Sequence, residues 1–400
     1  MPKTQSDVDY LLVDADQHYY EPDDCFTRHI EPTYRDAAIE VVRGKSRFAQ
    51  VHFRGKRIGF FSAPPGEVAG KPGSLKAFFV DGKGDHALTA GDTIHSYDFP
   101  ESMDRNRRMS LLDTQGVEAG IILPSLGVGI EMEMRSEPEV LHANLRAFNR
   151  YVAEDWGWDC ENRIFSVPLL SLADLDLAVS ELDRVLAEGA RIVHLTPAPI
   201  NGRSPADPCF DPFWARCEEA GVPVAFHLGN AGMEALYTAA WSENPNPQHH
   251  RLSAFQRTVG FAERAINDTM AALILHNLFG RFPLLRVVSI ENGSRWIHSL
   301  LKKMDSAIKM TTDRDYTFGP LTDLPSALFA RHVFVSPYPE DNLRALADTI
   351  GVSQILFGSD WPHPEGLHEP REFVEKLEGF SEVEIRRIMR ENSAELLGLA

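Results

Sequence analysis

An apolar run, Tyr10 to Asp14 (YLLVD), leads directly into Asp14-Ala15-Asp16-Gln17-His18, so a carboxylate and an imidazole stand two residues apart. On an extended chain, residues two apart point the same way, so Asp16 and His18 can face one point. Such a pair suits zinc, manganese or iron. Alone, Asp-x-His is a weak signal. His227 ends a second apolar run, Val222 to His227 (VPVAFH), and Asp360 follows a third, Gln354 to Gly358 (QILFG). Each has a plain structural alternative: His227 as a hydrogen-bonded core histidine, Asp360 as a helix cap or turn residue. An aspartate at that place can also touch a metal and accept a proton from water. Asp16, His18, His227 and Asp360 taken together form a set of candidate metal ligands.

The elements that would carry them recur along the chain. Eight short apolar runs are Tyr10 to Asp14, Ala119 to Pro124, Arg163 to Leu169, Ala190 to Thr196, Val222 to His227, Leu285 to Ile290, Val333 to Ser336 and Gln354 to Gly358. They are continuous rather than alternating in hydrophobicity, as in parallel strands covered on both faces. Amphipathic stretches lie between them. Asp174 to Glu188 sets Leu175, Val179, Leu182 and Leu186 at helical spacing and stops at Gly189, and Phe210 to Ala220 followed by Gly221 repeats the pattern. Ser381 with Glu384 reads as a capping box opening a last helix that stops at Gly398. Eight strands alternating with helices predict a (β/α)8 TIM barrel, with an open doubly wound sheet as the structural alternative. In a barrel the candidate ligands all leave strands on the C-terminal face.

The whole chain, 1–400, reads as one barrel domain with an insertion after strand one. That insertion, 43–100, holds a hairpin-like passage turning at Arg54-Gly55-Lys56 and a Gly/Pro-rich stretch from Pro64 to Gly73. It reads as a lid over the catalytic face, or as a plain surface insertion. Gly229 to Arg251, containing His249 and His250, also leaves that face, with the His pair read as solvated.

Lys and Arg number 40 against 58 Asp and Glu, a formal charge of −18. So acidic a surface argues against nucleic acid and anionic membranes and for a small-molecule substrate. No apolar run approaches the ~20 residues of a membrane span, and Met1 to Tyr10 reads as neither a signal nor a transit peptide, so the expected location is cytoplasmic. Cys25, Cys160, Cys209 and Cys217 are dispersed, which supports neither a disulfide scaffold nor a cysteine zinc site. No GxGxxG follows the first strand, and neither a phosphate-binding GxxxxGK[ST] nor a GxSxG elbow occurs.

The segments DADQHYYEP (14–22), FHLGN (226–230), GRFPLLRVVSIENGSRW (280–296) and FGSDWPHPEG (357–366) resemble the amidohydrolase-related family of the aminocarboxymuconate-semialdehyde decarboxylase type, over nearly the whole chain. The resemblance implies one divalent metal at the C-terminal end of a (β/α)8 barrel, on Asp16, His18, His227 and Asp360. Zinc is the first expectation, with manganese or iron next. Family members are often dimers, which makes a homodimer the implied assembly. The sequence departs from the family after strand six. Ser289-Ile290-Glu291-Asn292-Gly293 puts Glu291 where family decarboxylases carry a histidine. Glu291 offers an acid/base, a further ligand, or a cap on the following helix, and it lacks the hydrogen-bond donor of an imidazole at neutral pH.

The leading expectation is therefore a metal-dependent hydrolase of a small carbonyl or carboxylated compound, with Asp360 and Glu291 as catalytic groups. His363 and Arg295 are candidates for substrate contact. The alternatives are a metal-dependent non-oxidative decarboxylase using the same ligands, and a metal-free barrel acting as a binding protein. Phe60, Phe61, Phe78, Phe79, Tyr237 and Trp241 would suit an aromatic compound, or simply pack the loops. His194, within strand four, either points inward or packs, and His276 reads as structural. His298 follows Arg295 on a helix.

Overall fold

Seven of the eight apolar runs are strands in a computed structural model that describes residues 8–43, 49–61, 69–75, 93–245, 252–259 and 263–399. They are β1 (Leu12–Tyr19), β2 (Val117–Pro124), β3 (Ile164–Ser166), β4 (Val193–His194), β5 (Val224–His227), β6 (Val287–Ile290) and β7 (Val333–Ser336). β1, β2 and β3 pair in parallel, as do β4 to β7 in chain order. A parallel bridge between Leu169 and His194 links the end of β3 to β4. The eighth run is not a regular strand. Val352–Gln354 is a 3-10 turn, and single parallel bridges join Ile355 to Val335 and Trp361 to Gln17. Its backbone bonds run both ways: Leu356 donates to Val335 at 2.8 Å, and Ala15 donates to Phe357 at 2.8 Å. The ladder to β1 is interrupted where the Asp14 carboxylate takes the Ser359 amide (3.0 Å) and hydroxyl (2.6 Å) in place of a backbone partner.

Among the described residues eight longer helices run between the strands: α1 (Arg105–Gln115), α2 (Pro138–Asp155), α3 (Leu175–Ala187), α4 (Asp211–Ala220), α5 (Glu263–Leu275), α6 (Arg295–Ala307), α7 (Pro325–His332) and α8 (Leu343–Ile350). Asp174 caps α3 by accepting from the Leu177 amide, and Gly221 ends α4 at φ 66°, as the sequence patterns predict. The Ser381/Glu384 capping box forms, but the helix it opens passes through a π turn at Arg387–Glu391 before Gly398 stops it at φ 71°. Among the described residues no helix is long and apolar enough to cross a membrane.

Side chains of each strand divide between two cores. Val13, Ala119, Ile121, Phe165, Ile192, Ala225 and Val288 belong to an inner cluster. Leu12, Ile122, Ile164, Val193, Val224 and Val287 face the helices. Burial on both faces is why the runs read as unbroken apolar stretches.

The excursion after β1 includes an antiparallel set, Ile39–Val42, Gln50–Phe53 and Lys56–Arg57, turning at Arg54 (φ 50°) and Gly55 (φ 72°). Two positive φ values in sequence give a hairpin turn with the twist its strands need. Phe61 then packs so closely on Gly129, in the loop after β2, that a Cβ there would lie 2.5 Å from its ring. Farther on, Leu75 donates to the carbonyl of Pro364 at 2.8 Å. The described parts of the excursion thus lie against loops that follow β2 and the eighth run. Phe78, Phe79, His249 and His250 fall outside the described residues.

Candidate metal centre

A slip in the register of β1 aims the first two candidate ligands. Val13 pairs with Ala119 and Asp14 with Gly120, but Gln17 pairs with Ile122 and His18 with Leu123, so β1 carries one extra residue. Before the slip Val13 and Ala15 face the inner cluster. Through it the inward set changes parity, and Asp16, within the slip, and His18, beyond it, take over. A bulge used this way re-aims side chains beside a site. Asp14 fixes it. Its carboxylate accepts from the Asp16 amide (3.1 Å), from Gln17 Nε2 (3.0 Å) and from Ser359.

Four elements then converge. Asp16 Oδ1 lies 3.3 Å from His18 Nε2 and 3.7 Å from His227 Nε2. His18 Nε2 lies 3.5 Å from Asp360 Oδ1, and His227 Nε2 lies 3.2 Å from Glu291 Oε2. Three overlapping sets have all their ligand-type atoms within 4.8 Å of one another: Asp16, His18 and His227; His18, Asp360 and His363; and Asp16, Glu291 and Asp360. Bonds of ~2.1 Å to a tetrahedral ion put its donors about 3.4 Å apart, close to the spacings observed. Asp16 Oδ1, His18 Nε2 and His227 Nε2 are buried and have no hydrogen-bond partner among the described residues. Buried polar atoms are normally satisfied, and convergent orphans of this kind suit a cation. The other nitrogen of His227, Nδ1, lies 2.6 Å from the Leu228 carbonyl, which directs Nε2 into the group.

Electrostatics set the carboxylates apart. Burial, then the negative charges of Asp360, Asp16 and Glu365, push the Glu291 carboxyl well above its ordinary range. Burial, then Glu365 and Asp16, do the same to Asp360. Burial opposes ionisation of Asp16 too, but His18 and His227 beside it hold its carboxyl below the usual range. Burial, then His363, keep His18 neutral, down at about 3.

Both raised acids sit in left-handed backbone, Glu291 at φ 55° and Asp360 at φ 56°. Such conformations cost about 1–3 kcal/mol each in a non-glycine residue and persist only where surroundings impose them. At Glu291, Asn292 ties the turn by donating to the carbonyls of Phe226 (2.9 Å) and Ile290 (2.8 Å), and Tyr338 donates to the Glu291 carbonyl at 2.8 Å. Gly293 follows at φ 62°, where a Cβ would meet the Tyr338 ring at 2.9 Å. At Asp360 the amide donates to the Asp16 carbonyl at 2.8 Å.

His363 joins the group through Nδ1, 2.7 Å from Asp360 Oδ1, and stacks on His18 with ring centroids 4.1 Å apart. Its Nε2 meets Ser125 Oγ at 2.9 Å, and Ser125 gives its own proton to the Tyr19 carbonyl. Both ring nitrogens thus have partners within the protein, Asp360 on one side and Ser125 on the other. Arg295, expected beside the substrate, is not brought in. Its side chain is 69% exposed and pairs with Asp341 at 3.2 Å. The direction of a helix's first turn, not nearness in sequence to Glu291, decides where it points. His298 is exposed beside Thr349, and His276 is part-buried with its ring edge-on to Phe318.

Sequence reasoning missed the underside of the site. Arg108, on α1, is fully buried; it donates to the His18 carbonyl (2.6 Å) and Gln17 Oε1 (3.2 Å) and lies over the Trp361 ring at 4.3 Å. The stretch RNRRMSLLDTQ resembles an exposed basic helix, and nothing in it singles out one arginine. Glu21 was also missed. It accepts from the amides of Leu126 (2.8 Å) and Gly127 (3.0 Å), bracing the loop that carries Ser125.

Residues 125–399 match a family model described as Amidohydrolase. The crystal structure of an amidohydrolase from Mycobacterium avium subsp. paratuberculosis K-10 is 38% identical, with a TM-score of 0.89 over 98% of this chain and 100% of that one. A dihydroxybenzoic acid decarboxylase from Polaromonas sp. JS666, solved with manganese and the inhibitor 2-nitroresorcinol, shares the fold at 19% identity and a TM-score of 0.55, over 76% of this chain and 91% of that one. The 2-amino-3-carboxymuconate-6-semialdehyde decarboxylase of Dictyostelium discoideum is 23% identical over 206 residues, 50% of this chain and 51% of that protein. That match spans about half the length of the relative.

Proposed function

Because the chain belongs to the amidohydrolase family, we propose that it is a metal-dependent hydrolase of a small, uncharged carbonyl compound. The framework of this reading is a one-domain (β/α)8 barrel closed by the eighth run against β1, with 43–100 as a lid-like insertion. Asp16, His18, His227 and Asp360 would hold one divalent ion, zinc before manganese or iron. Such an ion supplies Lewis-acid polarisation of an oxygen and makes water a better nucleophile at neutral pH.

The protein's own groups divide the proton work. Asp360, oriented by His363, accepts the proton of the attacking water. Glu291, whose carboxyl favours the protonated form, donates to the leaving group. Burial and neighbouring carboxylates raise both carboxyls, and a cation held beside Asp360 would favour the ionised form that its role as base requires.

The observation that carries hydrolysis over decarboxylation is the charge around Glu291. The charged groups that act on it are Asp360, Asp16 and Glu365, all carboxylates. With no arginine or lysine among those groups, a substrate carboxylate would have only the bound ion to receive it, whereas a neutral carbonyl needs no second cation. The second reading, non-oxidative decarboxylation with the same ligands, is favoured by the activity named for the Dictyostelium discoideum relative.

Two measurements test the reading. Metal content by plasma mass spectrometry should show about one ion per chain, lost in an Asp16→Ala/His18→Ala double variant. Turnover of an aryl amide or ester panel in H2(18)O should place the heavy oxygen in the product acid. Release of CO2 from hydroxybenzoates, with solvent deuterium entering at carbon, would overturn hydrolysis in favour of the second reading.

A further inference from the structure

Strand β4 ends in His194, a residue that the proton steps above do not use. Its direction follows from its neighbours. Ile192 belongs to the inner cluster and Val193 to the outer one, so alternation turns His194 inward. Its partner across the ladder is Ala225, itself an inner residue, and His227 stands two residues farther along the same strand. Two residues of strand are about 6.6 Å, so His194 occupies the layer directly beneath His227.

The imidazole is 2% exposed, and its Nε2 has no hydrogen-bond partner among the described residues. The backbone is fully engaged: the amide donates to Pro168 at 3.0 Å and the carbonyl accepts from Leu170 at 3.1 Å. The lack of a partner therefore belongs to the ring alone. Around it the layer is apolar, with Phe165, Ile192, Ala225 and Val288. Thr196, the next inward position toward the mouth, gives its hydroxyl to Glu131, so it does not complement the ring either. An imidazole that only filled space here would leave a buried polar nitrogen unsatisfied, which a leucine would not. Burial and the nearby His227 keep the ring neutral, so it offers one N–H and one lone pair.

We propose that His194 is a substrate contact, donating a hydrogen bond from the floor of the site to a carbonyl, phenol or carboxyl oxygen of a molecule seated at the Asp16–His227 cluster. The assignment rests on the metalloenzyme reading, since the molecule that His194 would contact is one held at that cluster. It also supplies, from strand four, the imidazole donor that Glu291 removes from strand six.

The test uses the full-length, metal-loaded protein with 2-nitroresorcinol, benzoate and benzamide as probes, measured by calorimetric titration. Metal content and melting temperature are followed in parallel. His194→Leu should keep its metal and melt no lower than the wild type, yet bind the best probe about tenfold more weakly, the loss of one hydrogen bond worth about 1.4 kcal/mol. His194→Gln, which keeps a donor, should recover part of that affinity. Unchanged affinity in the leucine variant would overturn the assignment. So would loss of metal in both variants, which would make the ring a packing element, or failure of all three probes to bind the metal-loaded wild type. A wild type that takes up no metal would instead overturn the metalloenzyme reading itself, and a separate result thus marks each failure.

Discussion

Glu21→Gln should stabilise the protein at alkaline pH and not at acid pH. The Glu21 carboxyl is raised by burial from 4.5 to about 7, despite the hydrogen bonds it accepts from Gly127 and Leu126. The second oxygen, Oε2, is buried with no partner among the described residues. A raised carboxyl is protonated in the folded state over a range where the unfolded chain is already ionised. Below pH ~4.5 both states hold the proton and folding is not penalised. Between ~4.5 and ~7 the folded state holds more protons, so stability falls as pH rises, and above ~7 the whole penalty applies. At about 1.4 kcal/mol per pH unit, the interval from 4.5 to about 7 corresponds to about 3 kcal/mol. Glutamine keeps the acceptor for the two amides and removes the charge. Its own buried N–H groups carry a cost, but the same cost at every pH. Urea unfolding of wild type and variant at pH 5 and pH 8, at equal metal loading, isolates the difference. The stability gap should move by about 2–3 kcal/mol in favour of the variant between the two pH values. A gap that stays constant would mean that Glu21 ionises in the fold as it does in water, and the account of that loop would fail.

Glu291→Gln should lower kcat by at least about 100-fold, in the range of lost general acid catalysis, with metal content and melting temperature close to wild type; steady-state kinetics beside a thermal melt checks this. A lowered melting temperature with unchanged turnover would identify Glu291 as a helix cap. His227→Ala should abolish metal uptake and activity while the far-ultraviolet circular dichroism stays that of the wild type. Full activity in that variant would remove His227 from the centre.

The strand ends were legible because three separate runs each lead into an imidazole or a carboxylate on one face of the sheet, an agreement that no one of these residues carries alone. Asp16 Oδ1 lies 3.3 Å from His18 Nε2 for a reason the sequence does not display. The register slip that changes the inward parity of β1 falls between Asp14 and Gln17, with Asp16 inside it and His18 beyond, and a slip one or two residues later would have split them. The eighth run is apolar and buried like a strand, but the Asp14 carboxylate replaces backbone partners at Ser359 on the β1 side, and among the described residues single bridges, Ile355 to Val335 and Trp361 to Gln17, stand in place of ladders. Arg108 and Arg295 show the limit from opposite sides. A charged side chain is ordinarily solvated, so Arg108, fully buried beneath His18, has no sequence signal. Arg295 is near Glu291 in the chain, but the helix it opens carries it outward to Asp341.

The centre brings Asp16, Glu291 and Asp360 within 4.8 Å of one another, two of them on strained left-handed backbone. In the protein without a cation that arrangement is destabilising twice over, through mutual repulsion and through backbone conformation. The packing of Tyr338 on Gly293 and of Asp14 on Ser359 holds it in place nonetheless. A bound divalent ion reverses the sign of the first effect, because each carboxylate then faces a positive charge. Binding to the folded state alone adds RT ln(1 + [M]/Kd), about 4 kcal/mol at a thousandfold excess over Kd. Removing metal with a chelator should therefore lower the wild-type melting temperature by several degrees, with recovery on adding zinc or manganese. In the Asp16→Ala/His18→Ala variant neither the chelator nor the added metal should move it. An equal response in both proteins would place the stabilising ion elsewhere on the molecule, and the case for these four ligands would then rest on spacing alone.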